Sequence, residues 1–374
     1  MPRSALQLIS SGGFYGAERV LVELASFLRD RGWQSYVGVF ETQGQAGQEV
    51  LAAAQDKDLP TVVFACSGRV DRHTPRRIRD FVNEYRIDIV HSHGYKPDLY
   101  LVFSRLPEFC RRIVTCHSWY SHTWKLKLYE WMDKISLRWF DRVAVVAPYL
   151  REAILRAGLP PGRVSMIENG ITEAPPADGE TLERLRRELR LRPGEKLVLR
   201  VARLAREKRM DILLHAFSQV VRECPARLII LGEGNSRPML EALMRELALE
   251  EAVTMPGYRE DIPALLRLAD VFVVSSDQEG LPIALLEAMS VRLPVVSTAV
   301  GAIPKVLSDG DCGILVPPDD PAALAKGILR ILQNPDQGKE MAERAHDRFQ
   351  REHSQKAMGE KYLSLYEEAL SHAH

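Results

Sequence analysis

Two features that mark large classes of protein are missing from this chain of 374 residues. It has no run of about 18 apolar residues, so the sequence does not predict a membrane-spanning helix. Its first apolar run, Ala5 to Ile9, is short and is soon interrupted by Gly12 and Gly13, which is unlike a signal peptide. We therefore expect a cytoplasmic chain that is soluble or, at most, lies on a membrane surface.

Paired cysteines are also missing. The chain has 5 cysteines and no C-x-x-C motif, and they are scattered as Cys66, Cys110, Cys116, Cys224 and Cys312. This pattern disfavours both a disulfide framework and a structural zinc site, so we expect reduced thiols.

The chain lacks an excess of charge of either sign, since 50 Lys and Arg residues balance 50 Asp and Glu residues. This balance argues against a general nucleic-acid binder, which would carry a basic surface. The charge is unevenly distributed, because residues 1–170 contain 23 basic and 18 acidic side chains, a balance of +5. A mildly basic first half could face an anionic surface or substrate.

The length and the apolar pattern predict two domains. At roughly 100 to 200 residues per domain the chain is long enough for two, and 46% hydrophobic residues provide a core for each. A strand, a glycine turn, a helix and a strand follow one another over residues 5–40, and a similar order recurs over residues 197–231. We expect two doubly wound α/β domains, with a linker at residues 169–179.

Polar residues and glycines follow the predicted strands of both halves. Short apolar runs cover residues 87–90, 113–115, 143–146, 271–274 and 294–297. Because ligands of open parallel sheets bind at the carboxyl ends of the strands, the site is expected just after such runs. The residues found there are His91, His93, His117, Arg203, Gly232 to Gly234, Ser275 to Gly280 and Gly301.

Arg203 and Lys208 place two cations five residues apart just before a predicted helix. Such a pair suits a diphosphate, because Arg donates to two oxygens, Lys supplies a point charge and the helix N-terminus adds a positive dipole end. The alternative is a solvated basic loop, since helix starts are commonly charged.

Glu279 and Glu287 form a second candidate pair, the first in a loop after a predicted strand and the second two turns into the next helix. Ionised carboxylates accept hydrogen bonds, so Glu279 could bind sugar hydroxyls and Glu287 ribose hydroxyls. Glu287 could instead be a surface or capping residue. Its apolar neighbours, however, predict a buried helix in which an unpartnered carboxylate would be costly.

Glycines form a third group, in which Gly12, Gly13 and Gly16 follow the first strand and Gly232 and Gly234 follow a later one. A missing side chain allows backbone amides to approach a phosphate. A tight turn is the commoner reason for such glycines, and as a dinucleotide motif the first three are incomplete.

Histidines form the last group. His117 follows an apolar strand and could donate or shuttle a proton at neutral pH, although a lone histidine is more often structural. His91 and His93 could be mistaken for a metal-binding pair. We expect their side chains on opposite faces of a strand, and no carboxylate follows at ligand spacing, so a metal site is rejected there.

Taken together, these segments resemble glycosyltransferase family 4, retaining enzymes of the GT-B architecture, over nearly the whole chain. The strongest match is residues 279–296, which resemble the family's signature of two glutamates separated by seven residues. Residues 201–208 resemble its diphosphate loop, residues 231–234 and 256–258 its loops near the nucleotide base, and residues 167–170 its interdomain crossover.

The resemblance implies an α/β fold of two doubly wound, Rossmann-like domains facing a central cleft. Residues 1–172 would form the acceptor-side domain and residues 173–354 the nucleotide-sugar-binding domain. Residues 355–374 would form a terminal helix that crosses back to the first domain. The chain departs from the family pattern at Thr172, Ala202, Arg292 and Lys305.

The resemblance also implies the site residues, of which His117, Glu279, Arg203 and Lys208 would be catalytic. The donor-binding set would be Gly13, Arg203, Lys208, Gly232, Glu233, Tyr258, Glu279, Gly280, Leu281, Ile283, Ala284, Leu285 and Glu287. The acceptor-side set would be Gly12, Gly16, Glu18 and His93. In such enzymes Arg, Lys and backbone amides stabilise the leaving group, so we expect no metal and no other cofactor.

The leading hypothesis is a retaining transfer of sugar from a nucleotide-diphosphate sugar to a saccharide or lipid-linked acceptor, in cell-surface polysaccharide or glycolipid synthesis. One alternative is a nucleotide-sugar epimerase of the same fold, which needs no acceptor. A nicotinamide-dependent dehydrogenase using the Gly12 turn is disfavoured, because the acidic residue expected about 20 residues later does not end a strand.

Residues 119–139 contain four of the 5 tryptophans, interleaved with Lys and Arg. Aromatic rings and cations favour the headgroup region of an anionic membrane, so one interpretation is a peripheral contact with the inner membrane surface. The other is packing beneath the sheet or over the acceptor pocket, because a helix between two strands needs apolar faces.

Overall fold

The computed structural model describes residues 2–10, 13–14, 16–42, 47–66, 71–117 and 131–371. The chain divides into two compact units, residues 1–172 with residues 352–374, and residues 173–351. Each unit is built on one β-sheet with a Rossmann-like strand order, which confirms the predicted α/β class.

The first unit holds a seven-stranded sheet with the strand order β3-β2-β1-β4-β5-β6-β7. The strands are β1 Ser4–Ile9, β2 Gln34–Thr42, β3 Thr61–Cys66, β4 Ile89–His93, β5 Arg111–Cys116, β6 Arg142–Val145 and β7 Val164–Met166. Its longer helices are Gly16–Asp30, Gln48–Gln55, Thr74–Glu84, Tyr95–Phe103, Pro148–Arg156 and Gln355–Ser371, and residues 131–136 are also helical. The strand β1 is buried along its whole length, as expected of a parallel strand covered on both faces.

The second unit holds a six-stranded sheet with the order β10-β9-β8-β11-β12-β13. Its strands are β8 Lys196–Val201, β9 Ala226–Leu231, β10 Val253–Gly257, β11 Val271–Val274, β12 Val295–Thr298 and β13 Ile314–Val316. Its helices are Gly179–Glu188, Met210–Glu223, Arg237–Glu246, Ile262–Leu268, Ile283–Ser290, Ile303–Val306, Pro321–Gln333 and Pro335–Arg348.

The strand order reverses between β1 and β4 in the first unit and between β8 and β11 in the second. At such a switch point the loops leave the sheet in opposite directions and open a crevice at the carboxyl ends of the strands. Both groups of candidate site residues described below lie at or next to these two switch points.

The helix Gln355–Ser371 packs along the helix Gly16–Asp30 within the first unit. Its Tyr362 and Tyr366 are fully buried. The contact is close at Gly359, where an added Cβ atom would overlap the ring of Phe27. A glycine inside this helix is therefore explained by packing against the neighbouring helix.

Within the described ranges, no helix is both long enough and apolar enough to cross a membrane. Most of the basic aromatic segment, residues 119–130, lies outside the described residues. Of its remaining tryptophans, Trp131 is 60% exposed and Trp139 is 51% exposed. These two rings therefore do not pack beneath the sheet.

Gly359→Ala tests the close contact between the two helices. Alanine raises intrinsic helix propensity by about 1 kcal/mol, but its methyl group would displace the Phe27 ring, and overpacking of a core typically costs about 1 to 3 kcal/mol. We expect a lower midpoint of thermal unfolding, followed by circular dichroism. Ser364→Ala, at an exposed position of the same helix, is the control and should not lower it. A midpoint that rises equally in both variants would contradict the close packing.

Candidate functional site

The second unit brings two predicted site residues together at its switch point. Lys208 ends a short 3-10 helix, Arg206–Lys208, after β8, and Glu279 lies in the loop after β11. The Nζ atom of Lys208 lies 2.8 Å from Oε2 of Glu279, and both side chains are largely buried. Two loops that are 71 residues apart in sequence thus meet in one ion pair.

The second carboxylate oxygen of Glu279 has partners that sequence reasoning missed. Ser276 donates its hydroxyl to Oε1 over 2.7 Å. Arg200, on β8, donates from Nη2 to the Ser276 hydroxyl over 2.9 Å, and the same Nη2 lies 3.7 Å from Oε1. The carboxylate of Glu279 is therefore held between two cations and one hydroxyl group.

Arg200 is an unusual residue for a buried parallel strand, with only 1% of its side chain exposed. Burial lowers the pKa of its guanidinium, and the neighbouring charge of Glu279 acts in the opposite direction. A buried cation is costly unless it is paired, so Arg200 needs Glu279 nearby. The available signal was one basic residue inside the otherwise apolar stretch of residues 197–201.

The backbone around Lys208 is fixed by the loop after β11. Ser275 donates its hydroxyl to the Lys208 carbonyl over 2.9 Å, and the Asp277 amide donates to the Glu207 carbonyl over 3.1 Å. The next residue, Arg209, takes a left-handed backbone conformation with φ 46° and pairs with Asp211 and Asp319. These bonds orient the Lys208 side chain toward Glu279.

Arg203, the other predicted diphosphate ligand, is not brought to Glu279. Its guanidinium pairs with Glu207 at 3.3 Å, and 61% of the side chain is exposed. An exposed pair four residues apart is weak, so the Arg203 side chain can exchange this partner for another anion at little cost.

Two of the predicted glycines allow loops to approach each other closely. Gly301 has a φ of +58°, and an added Cβ would overlap the carbonyl oxygen of Glu279. Gly232 has a φ of +133°, and an added Cβ would overlap the carbonyl oxygen of Ala202. The backbone that approaches each glycine in the structure belongs to a neighbouring loop, so packing of loops accounts for both.

The remaining predicted donor residues of the second unit differ in how deeply they are buried. Glu287 is buried on the helix Ile283–Ser290 and interacts with other groups of the protein. Glu233 pairs with Arg237 over 2.8 Å, and Tyr258 is 71% exposed. Leu281 and Leu285 are buried, whereas Gly280, Ile283 and Ala284 are partly exposed.

In the first unit, three histidines gather on β4 and just after β5. Nδ1 of His93 lies 2.9 Å from Nε2 of His117, and the rings of His91 and His93 are 4.3 Å apart. The expectation that His91 and His93 point to opposite faces of their strand was wrong. Side chains two residues apart on a strand share a face, because successive side chains alternate.

The histidines belong to one chain of hydrogen bonds that reaches the terminal helix. Nε2 of His93 lies 3.2 Å from Oε1 of Gln7, whose Nε2 donates to the Tyr366 hydroxyl over 2.9 Å. That hydroxyl lies 2.7 Å from Nδ1 of His91. Nε2 of His91 lies 2.8 Å from the Thr115 hydroxyl, which lies 2.9 Å from that of Tyr362.

The three imidazoles are neutral at pH 7. Burial lowers the pKa of His91 to about 3 and that of His117 to about 4, and it lowers the pKa of His93 well below its ordinary value. The neighbouring imidazoles act in the same direction on His91 and His93, because like charges repel.

The other acceptor-side residues lie near the start of the first helix. Gly12 is outside the described residues. Gly13 is buried, Gly16 begins the helix Gly16–Asp30, and Glu18 is buried in its first turn. Gly13 and Glu18 both interact with other protein groups.

One group in the described part of the chain has the geometry of a possible metal site. Glu168, Glu352 and His353 offer ligand atoms that all lie within 4.8 Å of one another. All three residues also interact with other groups of the protein. Since two of these residues come from a part of the sequence with no strand pattern, spacing alone did not point to them.

Comparison with known proteins gives matches to both units. Residues 182–348 match the family model "Glycosyl transferases group 1", and residues 14–174 match "Glycosyltransferase Family 4". Alpha-D-kanosaminyltransferase of Streptomyces kanamyceticus is 32% identical over 248 residues, 64% of this chain and 63% of that one. The putative colanic acid biosynthesis glycosyltransferase WcaL of Escherichia coli is 34% identical over 45% of this chain and 44% of that one. The chain thus spans between about two fifths and two thirds of the length of the first curated relatives it matches.

Solved structures match over the full length. A glycosyltransferase from Rickettsia africae has a TM-score of 0.83 and 19% identity, with 99% of each chain covered. Anabaena HepE, in complex with UDP-glucose, has a TM-score of 0.83 and 20% identity, with 98% of this chain and 99% of that one covered. With family models on both units and two Rossmann-like sheets of the GT-B type, this chain belongs to glycosyltransferase family 4.

Proposed function

We propose that this protein is a retaining glycosyltransferase that uses a nucleotide-diphosphate sugar. Its acceptor is a saccharide or a lipid-linked molecule, in the synthesis of a cell-surface polysaccharide or glycolipid. The observation that carries this proposal is the Lys208–Glu279 pair at the switch point of the second sheet. A cation for a diphosphate and a carboxylate for sugar hydroxyls lie side by side there, and HepE, of similar fold, binds UDP-glucose.

In this mechanism the protein stabilises the leaving diphosphate by its charges and forms no covalent bond to the sugar. Lys208 and the exposed Arg203 donate to the oxygens of the diphosphate, on which negative charge grows as the bond to the sugar breaks. Glu279 accepts hydrogen bonds from hydroxyls of the transferred sugar. Arg200 and Ser276 keep this carboxylate in place when Lys208 turns to the donor.

We further propose that the reaction needs no divalent cation, since Lys208 and Arg203 supply the positive charge at the diphosphate. A screen of UDP-, GDP- and ADP-sugars that records nucleoside diphosphate release tests the whole proposal. Each donor is incubated with a panel of saccharide and lipid-linked acceptors, with and without excess chelator. We expect acceptor-dependent release that survives the chelator. Epimerised donor without any acceptor would favour the epimerase, and release restored only by magnesium or manganese would refute metal independence.

Lys208→Ala tests the role of the buried cation. Removing one preorganised electrostatic group costs about 2 to 4 kcal/mol of transition-state stabilisation, so we expect kcat/KM to fall about 30- to 1000-fold. The matched control is Lys196→Ala, which removes a lysine from the start of β8, the strand that precedes the Lys208 loop, and breaks its pair with Asp270. Equal kinetics in Lys208→Ala and the parent would rule out the assigned diphosphate contact.

Glu279→Gln and Glu287→Gln should have different effects. The first leaves buried Arg200 without its carboxylate, so we expect loss of transfer together with about 3 kcal/mol of stability. The second should mainly raise the KM for the donor, because Glu287 is assigned to the ribose. Steady-state kinetics and thermal unfolding of both variants provide the comparison, and intact transfer in both would reduce the two-glutamate motif to a structural role.

A contact with the inner face of a membrane is proposed for the basic aromatic segment, supported by the exposure of Trp131 and Trp139. Exposed rings and lysines both favour anionic headgroups. We expect the parent to co-sediment with vesicles of anionic lipid at low salt, and a triple charge reversal of Lys125, Lys127 and Lys134 to do so several-fold less. Absence of binding in the parent, or equal binding by both proteins, would remove this proposal.

A further inference from the structure

The direction of each hydrogen bond around His93 can be worked out from its partners. Gln7 donates from Nε2 to the Tyr366 hydroxyl, so its Oε1 is the atom that faces Nε2 of His93. An amide oxygen only accepts, and therefore Nε2 of His93 must carry the proton. A neutral imidazole has one N–H, which leaves Nδ1 of His93 as an acceptor.

The same reasoning extends to His117. Its Nε2 lies 2.9 Å from the accepting Nδ1 of His93, so Nε2 of His117 is the donor. The lone pair of neutral His117 is then on Nδ1. Among the described residues, no group donates to this Nδ1, and His117 is a partly exposed residue.

We infer that Gln7 and Tyr366 are positioning residues that hold His93, and through it His117, in the Nε2–H tautomer. His117 thereby presents an unprotonated Nδ1 that accepts a hydrogen bond from a sugar hydroxyl. Such an atom binds hydroxyl donors and repels the acceptor-only oxygens of a phosphate or carboxylate. This inference rests on the proposed function for the identity of the ligand but not for the tautomer.

The burial of the relay explains why it can hold one tautomer. Gln7, His91 and Thr115 have no exposed surface, and Tyr366 has none either. In such surroundings a mispaired donor or acceptor is costly, so a change of tautomer at His117 requires the Gln7 amide to turn over and Tyr366 to reverse its bond. The low pKa values of the three histidines support a neutral relay at pH 7.

The tautomer can be read directly from the full-length protein labelled with 15N-histidine. Long-range 1H–15N correlation spectra at pH 7 separate protonated from unprotonated ring nitrogens, and His117→Gln identifies the His117 signals by their loss. In the parent we expect a protonated Nε2 and an unprotonated Nδ1 at His117. A protonated Nδ1 there would overturn the inference, and this readout stands whether or not any donor is turned over.

Variants of the relay test the positioning role. Gln7→Met removes both amide bonds at similar size, and Tyr366→Phe releases the amide while keeping the ring that packs against Trp33. In both we expect the Nδ1–H share of His117 to rise several-fold from a minor population below about a tenth. Tyr362→Phe, on the same helix but hydrogen-bonded to Thr115 rather than to Gln7, is the matched control and should leave the share unchanged.

Circular dichroism establishes which variants fold. If Gln7→Met does not fold, Tyr366→Phe alone tests the positioning role. An unchanged His117 tautomer in folded Tyr366→Phe would overturn the inference. A change in Tyr362→Phe equal to that in Tyr366→Phe would also overturn it, because the effect would then be a general loosening of the helix.

Discussion

The buried carboxylate of Glu279 is the group on which the arrangement of the second unit's site depends. Arg200 lies inside the sheet, where an unpaired guanidinium would cost several kcal/mol, and Lys208 is carried in by a separate loop. The negative charge of Glu279 offsets the cost of burying the cations of both Arg200 and Lys208. The tight approach of Gly301 to the Glu279 carbonyl and the bonds of Ser275 and Asp277 to the Lys208 loop fix the same geometry through the backbone.

The two units differ in the charge of the polar groups near the switch points of their sheets. At the β8–β11 switch point, charges are buried and balanced against one another. Next to the β1–β4 switch point, the polar groups are neutral, and their hydrogen bonds run in sequence from His117 to Tyr362. A charged cluster suits a charged diphosphate, whereas a neutral chain suits the uncharged hydroxyls of a sugar.

The sequence was sufficient to predict the two α/β units and the loops that carry Lys208 and Glu279, because these follow from apolar periodicity and from the position of ligands at strand ends. It was not sufficient for Arg200, Gln7 and Tyr366, whose partners lie 76 or more residues away in sequence. Such contacts are set by strand order and packing, which no local pattern encodes. The error on His91 and His93 was different, since the alternation of a strand already places them on one face.

The return of residues 355–371 to the first unit has a consequence for synthesis of the chain. The ribosome makes all of residues 173–351 before the helix that supplies Tyr362 and Tyr366 exists. Until then β1, β4 and β5 carry Gln7, His91 and Thr115 without their final partners, whereas the second unit already contains every strand of its own sheet. Although domains usually fold in the order of their translation, here the later-made unit is the first that can be complete. The first unit lacks its last helix, and so cannot complete its packing, until translation has passed residue 371.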